Sequence, residues 1–296
     1  MRFDRLGSIS ATAGSDGIGD VGRMRMHAAA HIQFSEMMGD PEWYRAGTTF
    51  AVSNGTIPPI ISVADDLRML ENIVENMGVV GFVDRILEAR VRLLGRSGLL
   101  VVYHAPTLRD GVDVMVEAIN RTNPYLHIEK TLGSDFVAYK LRPVASVGSA
   151  WPIISTVFAL TLQQCVSVAS HDKTNTLRID VSAPPATDLS QYQHWFQCEV
   201  RLGCAEFGVA IPLDLAEQPN SLAEAHLWAI ACQRLDVMAQ VLDTSRERAL
   251  VRAFVRESLL ARSCVPTIKE ASAHLRLSER TLIRKLANIG TSYRDL

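Results

Sequence analysis

Between Ile60 and Met77 the residues Val63, Leu67, Leu70, Ile73, Val74 and Met77 recur near helical spacing, and Gly78 follows as a C-cap. The same periodicity predicts helices over Leu108–Arg121, opened by Thr107 as cap, over Trp151–Ser170, over Leu189–Phe196 and over Ser221–Leu242. Strict alternation marks Leu126–Thr131 and Phe136–Leu141 as a strand pair, split by the turn Gly133-Ser134-Asp135. Thr176–Val181, closed by Pro184-Pro185, and Glu199–Leu202 with Phe207–Ile211 read as further short strands. Helices mixed with short strands predict an α+β fold for one domain over about 55–245. Residues 1–54 are rich in Gly, Ser and Ala and read as an irregular arm with one helix near His27–Met38.

Beyond the polar run Asp243–Arg248, where a domain boundary is expected, the pattern becomes purely helical: Leu250–Ala261, Thr267–Leu275 and Glu279–Ile289. Thr267 and Glu270 form a capping box, and Ser278 is a strong N-cap for the last helix. Three residues, Arg276-Leu277-Ser278, separate the second helix from the third, which is the spacing of a helix-turn-helix, an all-α subdomain over 246–296 with its motif at about 267–289. Ala271, Leu275, Leu277, Leu282 and Leu286 supply a small core. Off that stripe lie Glu279, Arg280, Ile283, Arg284 and Lys285, with Arg280 and Arg284 one turn apart on a shared face. Arginine forks read guanine, and Ile283 suits a thymine methyl. Ser278, Thr281, Lys269, Arg276 and Lys285 are suited to phosphate. A small helical bundle with a charged surface fits the same periodicity.

Charge sharpens this picture. The chain of 296 residues carries a formal −2, yet its last 47 residues hold nine Lys/Arg against four acids, a surplus of five, leaving −7 on the rest. A basic tail on an acidic body suits a polyanion-binding module. Composition otherwise describes a globular chain, with 48% hydrophobic and 21% charged residues. The most apolar run, Trp151–Leu162, falls short of the roughly 20 residues that span a bilayer and reads as a buried core helix. No apolar segment follows the N-terminal MRFDRLGSIS, so no secretory signal and no membrane partner are expected. Five cysteines without a CxxC pair suggest reduced thiols in a cytoplasmic protein, with no metal and no cofactor.

The run Leu277-Ser278-Glu279-Arg280-Thr281-Leu282-Ile283-Arg284-Lys285-Leu286, followed by Gly290-Thr291-Ser292-Tyr293-Arg294-Asp295-Leu296, resembles the first helix-turn-helix of AraC-type transcription regulators. That family's pattern, LS-x-RTL-x-R-x-L and then G-x-S-(F/Y)-x-x-L, is met at every fixed position. Residues 55–240 resemble, more diffusely, the arabinose-binding-like N-terminal domain of a subset of these regulators, best at Ala105–Gly111 and Trp195–Val200. The resemblance implies a bacterial regulator that binds promoter or operator DNA through Ser278, Glu279, Arg280, Thr281, Ile283, Arg284 and Lys285. It implies a sensing or dimerising body with an unidentified small-molecule effector, a homodimer, RNA polymerase as a further partner, and no catalysis. The family's DNA-binding region continues into a linker helix and a second helix-turn-helix, whereas this sequence stops at Leu296. A fragment or a shortened member is therefore expected, and weak, poorly selective DNA binding with it.

Two rival readings accompany this one: a truncated, dimerising decoy regulator, and an enzyme of unknown chemistry. Gly17-Ile18-Gly19-Asp20-Val21-Gly22 matches a dinucleotide fingerprint but follows no apolar strand. His27 and His31 stand one helical turn apart and read as a surface pair, since Ala28 occupies the position where a zincin needs Glu. The remaining histidines accompany no nucleophile motif. Trp151, Trp195 and Trp228 are candidates for the walls of an effector cavity.

Overall fold

The computed structural model describes residues 19–51, 56–170, 173–182, 187–262, 265–275, 277–288 and 292–295. Its first strand, β1 (Arg25–His27), pairs antiparallel with β2 (Ile60–Ser62), Met26 facing Ile61. Between them lies helix α1 (Ala29–Met38). Met24, Met26, Ala28, Phe34, Tyr44 and Phe50 are buried in the main core. The helix expected near His27–Met38 is α1, whereas the irregular arm expected around it is corrected for residues 19–51, which pack into the core. Three-residue strands are too short to show alternation, and their order comes from pairing with a segment distant in sequence.

Ser62 ends β2 and caps α2 (Val63–Glu88), its side chain accepting from the Asp65 amide. Ile60 and Ile61 thus belong to a strand, not to the predicted helix. Gly78 sits at φ 69° and ψ 167°, so the helix breaks where a C-cap was expected, then resumes as a second limb. Helix α3 (Gly95–His104) follows, then α4 (Leu108–Thr122), whose cap Thr107 accepts from the Asp110 amide. These two helices approach closely at Gly111, where an added Cβ would stand 3.0 Å from the Cα of Val102.

The main sheet contains β3 (Leu126–Leu132), β4 (Phe136–Pro143), β5 (Arg178–Ser182), β6 (Glu199–Cys204) and β7 (Phe207–Pro212), in the order β3-β4-β7-β5-β6. Its pairings are antiparallel except β5 with β6, which the helix α6 (Leu189–Phe196) connects as a parallel crossover. In the central strand β7 the run Phe207–Ile211 is buried throughout, while β4 alternates, burying Val137, Tyr139 and Leu141. Mixed helices and strands make this an α+β fold.

Helix α5 (Trp151–Ser170) packs against α2, α3, α4 and β7. With the turn before it, Gly148–Ser170 is long and apolar enough to cross a bilayer, but most of it is buried inside the fold. Its apolar surface is thus used against neighbouring elements. A short helix, α7 (Leu213–Ala216), leads on to α8 (Ala225–Arg262).

Helix α8 runs without interruption through Asp243–Arg248. The two separate helices expected on either side of this polar run, Ser221–Leu242 and Leu250–Ala261, are corrected to one helix. The polar run contains neither Gly nor Pro, and charged residues tolerate a helix as well as they tolerate a linker. Two further helices close the chain, α9 (Ile268–His274) and α10 (Glu279–Asn288). Buried apolar residues form two clusters. Among the described residues the larger includes residues from Met24 to Ala231, and the smaller includes Val251, Phe254, Ala271, Leu282 and Leu286.

Candidate functional site

The first candidate surface is on α10. Leu282 and Leu286 are fully buried against Val251 and Phe254 of α8 and Ala271 of α9. One turn out of phase, Arg280, Arg284 and Glu279 are exposed, and Ile283 is 54% exposed. The Oγ of Ser278 accepts from the Thr281 amide at 3.1 Å and lies 2.7 Å from the Thr281 hydroxyl. Helix α10 therefore starts at a fixed residue, and the first turn that presents Arg280 is held by its cap.

The preceding helix is fixed in the same way. In its capping box the Thr267 side chain accepts from the Glu270 amide, while Glu270 accepts from the Thr267 amide at 2.7 Å. The ring of Phe254 stacks on His274 with centroids 4.4 Å apart, joining α8 to α9. The Tyr293 hydroxyl donates to the Pro266 carbonyl at 2.8 Å and ties the segment after α10 to the start of α9. Ser278, Glu279, Arg280, Thr281, Ile283 and Arg284 thus come together at one end of one helix and its cap. Residue Arg276 and the side chain of Lys285 lie outside what the structure describes.

The second candidate site lies inside the larger core. A cavity of about 240 Å³, open on one side, is lined mainly by residues of β1, α1, α2, α4, β3, β4 and α5. Most of its wall is apolar, including Leu70, Met115, Ile119, Ile153 and Phe158. His31, Asp66, Asn123 and Tyr125 gather in that wall. A buried chain of hydrogen bonds links three of them and Tyr44: Tyr44 hydroxyl to His31 Nδ1 at 2.5 Å, His31 Nε2 to Asp66 Oδ1 at 2.6 Å, and Tyr125 hydroxyl to Asp66 Oδ2 at 2.6 Å. Asp66 accepts from both Tyr125 and the His31 Nε2–H, which leaves His31 Nδ1 to accept the Tyr44 proton. Burial first, and the Asp66 carboxylate second, push both tyrosine hydroxyls well above the ordinary phenol range.

His31 is therefore no surface residue: it is 3% exposed, and this corrects the surface-pair expectation. The signal was present as Asp66 and Tyr44, but no sequence spacing ties them to His31. His27 is half-buried, lines the same cavity, and donates from Nε2 to the Met238 carbonyl on α8.

The tryptophans lie elsewhere. Trp195 donates to Asp84 at 2.7 Å and Trp151 packs edge-on against Phe207, and neither they nor Trp228 line this cavity. The last four residues of the glycine motif lie in the 3₁₀ turn Gly19–Arg23, while Gly17 and Ile18 lie outside the described residues, as do His171 and Cys264. Among the described residues no cluster of three or more His, Cys, Asp or Glu is placed to hold a metal.

Among the described residues the fold thus has two apolar clusters of unequal size, the larger one hollow and the smaller one beneath a helix that exposes two arginines. Residues 60–220 match the family described as the arabinose-binding domain of AraC transcription regulators, N-terminal, and the chain belongs to this family of AraC-type regulators. An ornithine utilization regulator of Pseudomonas aeruginosa is 26% identical over 153 residues, 51% of this chain. The match spans 43% of that relative's length. The crystal structure of the transcriptional regulator CdpR from Pseudomonas aeruginosa aligns at 20% identity with a TM-score of 0.45, covering 76% of this chain and 73% of that one.

Proposed function

We propose that this protein is a DNA-binding transcription regulator whose activity answers to a small molecule. Exposed Arg280 and Arg284 on a helix anchored by buried Leu282 and Leu286 carry this reading. In it α10 enters a major groove, Arg280 and Arg284 contact guanine edges, Ile283 meets a thymine methyl, and Glu279 and Lys285 flank them. Ser278 and Thr281, besides capping the helix, lie where such helices meet phosphate. The effector-sensing unit is the larger core, over about 55–245 together with residues 19–51, and the DNA-reading unit is the smaller one, over 246–296.

A homodimer is part of the proposal. Leu227, Ile230 and Val237 form an exposed apolar stripe on α8 beside Leu100 and Tyr103 of α3, a face suited to a second copy. The decoy reading shares that face and differs only in leaving α10 without a duplex.

The test selects a duplex from a randomised pool with this chain and measures its affinity at two salt concentrations. Arg280→Ala with Arg284→Ala is expected to reduce preference for the selected site by ~10- to 100-fold per arginine–guanine pair, with circular dichroism unchanged. A double variant that keeps its site preference overturns the reading. A wild-type chain that selects no duplex favours the decoy.

A further inference from the structure

We infer that the cavity of the larger core binds one small, mostly apolar molecule bearing a hydrogen-bond-donating head, a hydroxyl or an ammonium group. This deepens, and rests on, the effector half of the function proposed above.

Size comes first. Interiors pack to the density of organic crystals and leave few voids larger than a water. At about 240 Å³ this one is larger than the ~150 Å³ apolar cavity that takes up benzene. It is smaller than the ~300–1,000 Å³ pockets that hold drug-sized ligands. A single ring with a short chain matches it. Ala30, an exposed residue of α1 that also lines the cavity, marks its mouth.

The chemistry follows from the polar groups left over. Asn123 Oδ1 is buried and has no hydrogen-bond partner among the described residues. Leaving a buried acceptor unmet costs ~1–3 kcal/mol, so a turn of the Asn123 amide that brings Oδ1 to a ligand's donor is favoured. Nearby, the Asp66 carboxylate accepts from Tyr125 and His31 but has lone pairs to spare. Both wall groups are acceptors. A ligand whose head only accepts, such as a carboxylate, meets an amide oxygen and a like charge in an apolar enclosure, and is rejected. A hydroxyl or ammonium meets the same groups as a donor.

Four probes of one skeleton decide the matter by calorimetry on the full chain: 2-phenylethanol, phenethylamine, ethylbenzene and phenylacetate. At least one of the two donor probes is expected to bind tenfold or more tightly than ethylbenzene, and phenylacetate more weakly than any. Which donor binds better distinguishes hydroxyl from ammonium. Asn123→Leu, which keeps the side chain's bulk, is expected to reduce the donor's advantage over ethylbenzene to threefold or less. Ala30→Trp, a change at an exposed helix position, is expected to weaken all binding by closing the mouth. Phenylacetate binding as tightly as the donors overturns the proposal, and so does an unchanged donor preference in Asn123→Leu. Site-selective DNA binding without uptake of any probe overturns the cavity assignment alone and leaves the DNA-reading role intact. Uptake of a donor probe by a chain that selects no duplex does the reverse.

Discussion

His27 Nε2 lies 3.1 Å from the carbonyl oxygen of Met238, so the last residue of β1, itself part of the cavity wall, donates a hydrogen bond into the side of α8. The contact connects the hollow core to the helix that carries Val251 and Phe254 of the second core. His27→Leu keeps the wall apolar and removes the donor. In that variant the ratio of DNA affinities with and without a bound cavity ligand is expected to fall towards one, while ligand affinity changes less than about threefold, as removal of one half-buried neutral hydrogen bond implies. Paired isotherms measure both quantities, and an unchanged ratio excludes His27 as the link.

The pairing of His31 with Asp66 makes a second expectation quantitative. Asp66→Ala strands His31 and Tyr125 and is expected to destabilise by about 1–3 kcal/mol for each buried donor left unmet. His31→Ala added to Asp66→Ala is expected to cost less than the two single effects together, because the network is already broken. Urea unfolding of the four proteins supplies the cycle, and strict additivity contradicts the network.

Alkaline pH is expected to destabilise the fold through buried acids that stay protonated. Burial holds the Cys165 thiol at about 12, against 9.0 for a free thiol, and raises the Tyr44 and Tyr125 hydroxyls well above 10.0. A group whose folded pKa is raised contributes stability that is whole below its unfolded value and is lost as pH climbs through the folded one. The thiol's share is therefore intact below about pH 9 and declines towards pH 12, and the hydroxyls' share starts to fall near pH 10. Urea midpoints should drop across this window, and Cys165→Ala should flatten its lower part. A midpoint that holds or rises above pH 9 contradicts the burial of these groups.

The small core offers a local test. Leu286 is 1% exposed in this cluster, and Leu286→Ala is expected to cost about 2–5 kcal/mol there. Amide exchange should then speed up across α9 and α10 while β4 and β7 remain protected. Loss of protection in the main sheet as well would show that the two clusters unfold as one.

Much of the fold was legible wherever a segment carries its own boundary chemistry. Helix α6 matches its predicted limits, the β3–β4 hairpin follows from its turn, and the capping box at Thr267 locates α9. Elements whose order depends on distant partners were not legible. Strands β1 and β2 are three residues each, and α3 opens on Gly95 and contains Gly98, a composition that reads as loop. The arginine face of α10 could be read from the leucine spacing alone, because a short amphipathic helix has only one way to turn its stripe inward. The cavity could not. Periodicity identifies which face of α2, α4 or α5 is apolar but not which faces meet imperfectly, and His31 finds Asp66 only after both helices are placed.

The unbroken course of α8 has a mechanical consequence. From Met238 to Arg262 the helix advances roughly 36 Å at 1.5 Å per residue. A rod of that length, held at Met238 by the His27 contact beside the cavity wall, would work as a lever. Rocking it by about 5° carries its far end sideways by about 3 Å, nearly the ~3.4 Å step between stacked base pairs. In the proposed regulator, a nudge no larger than a side-chain rearrangement at the base would thereby be geared up to the spacing of the genetic text.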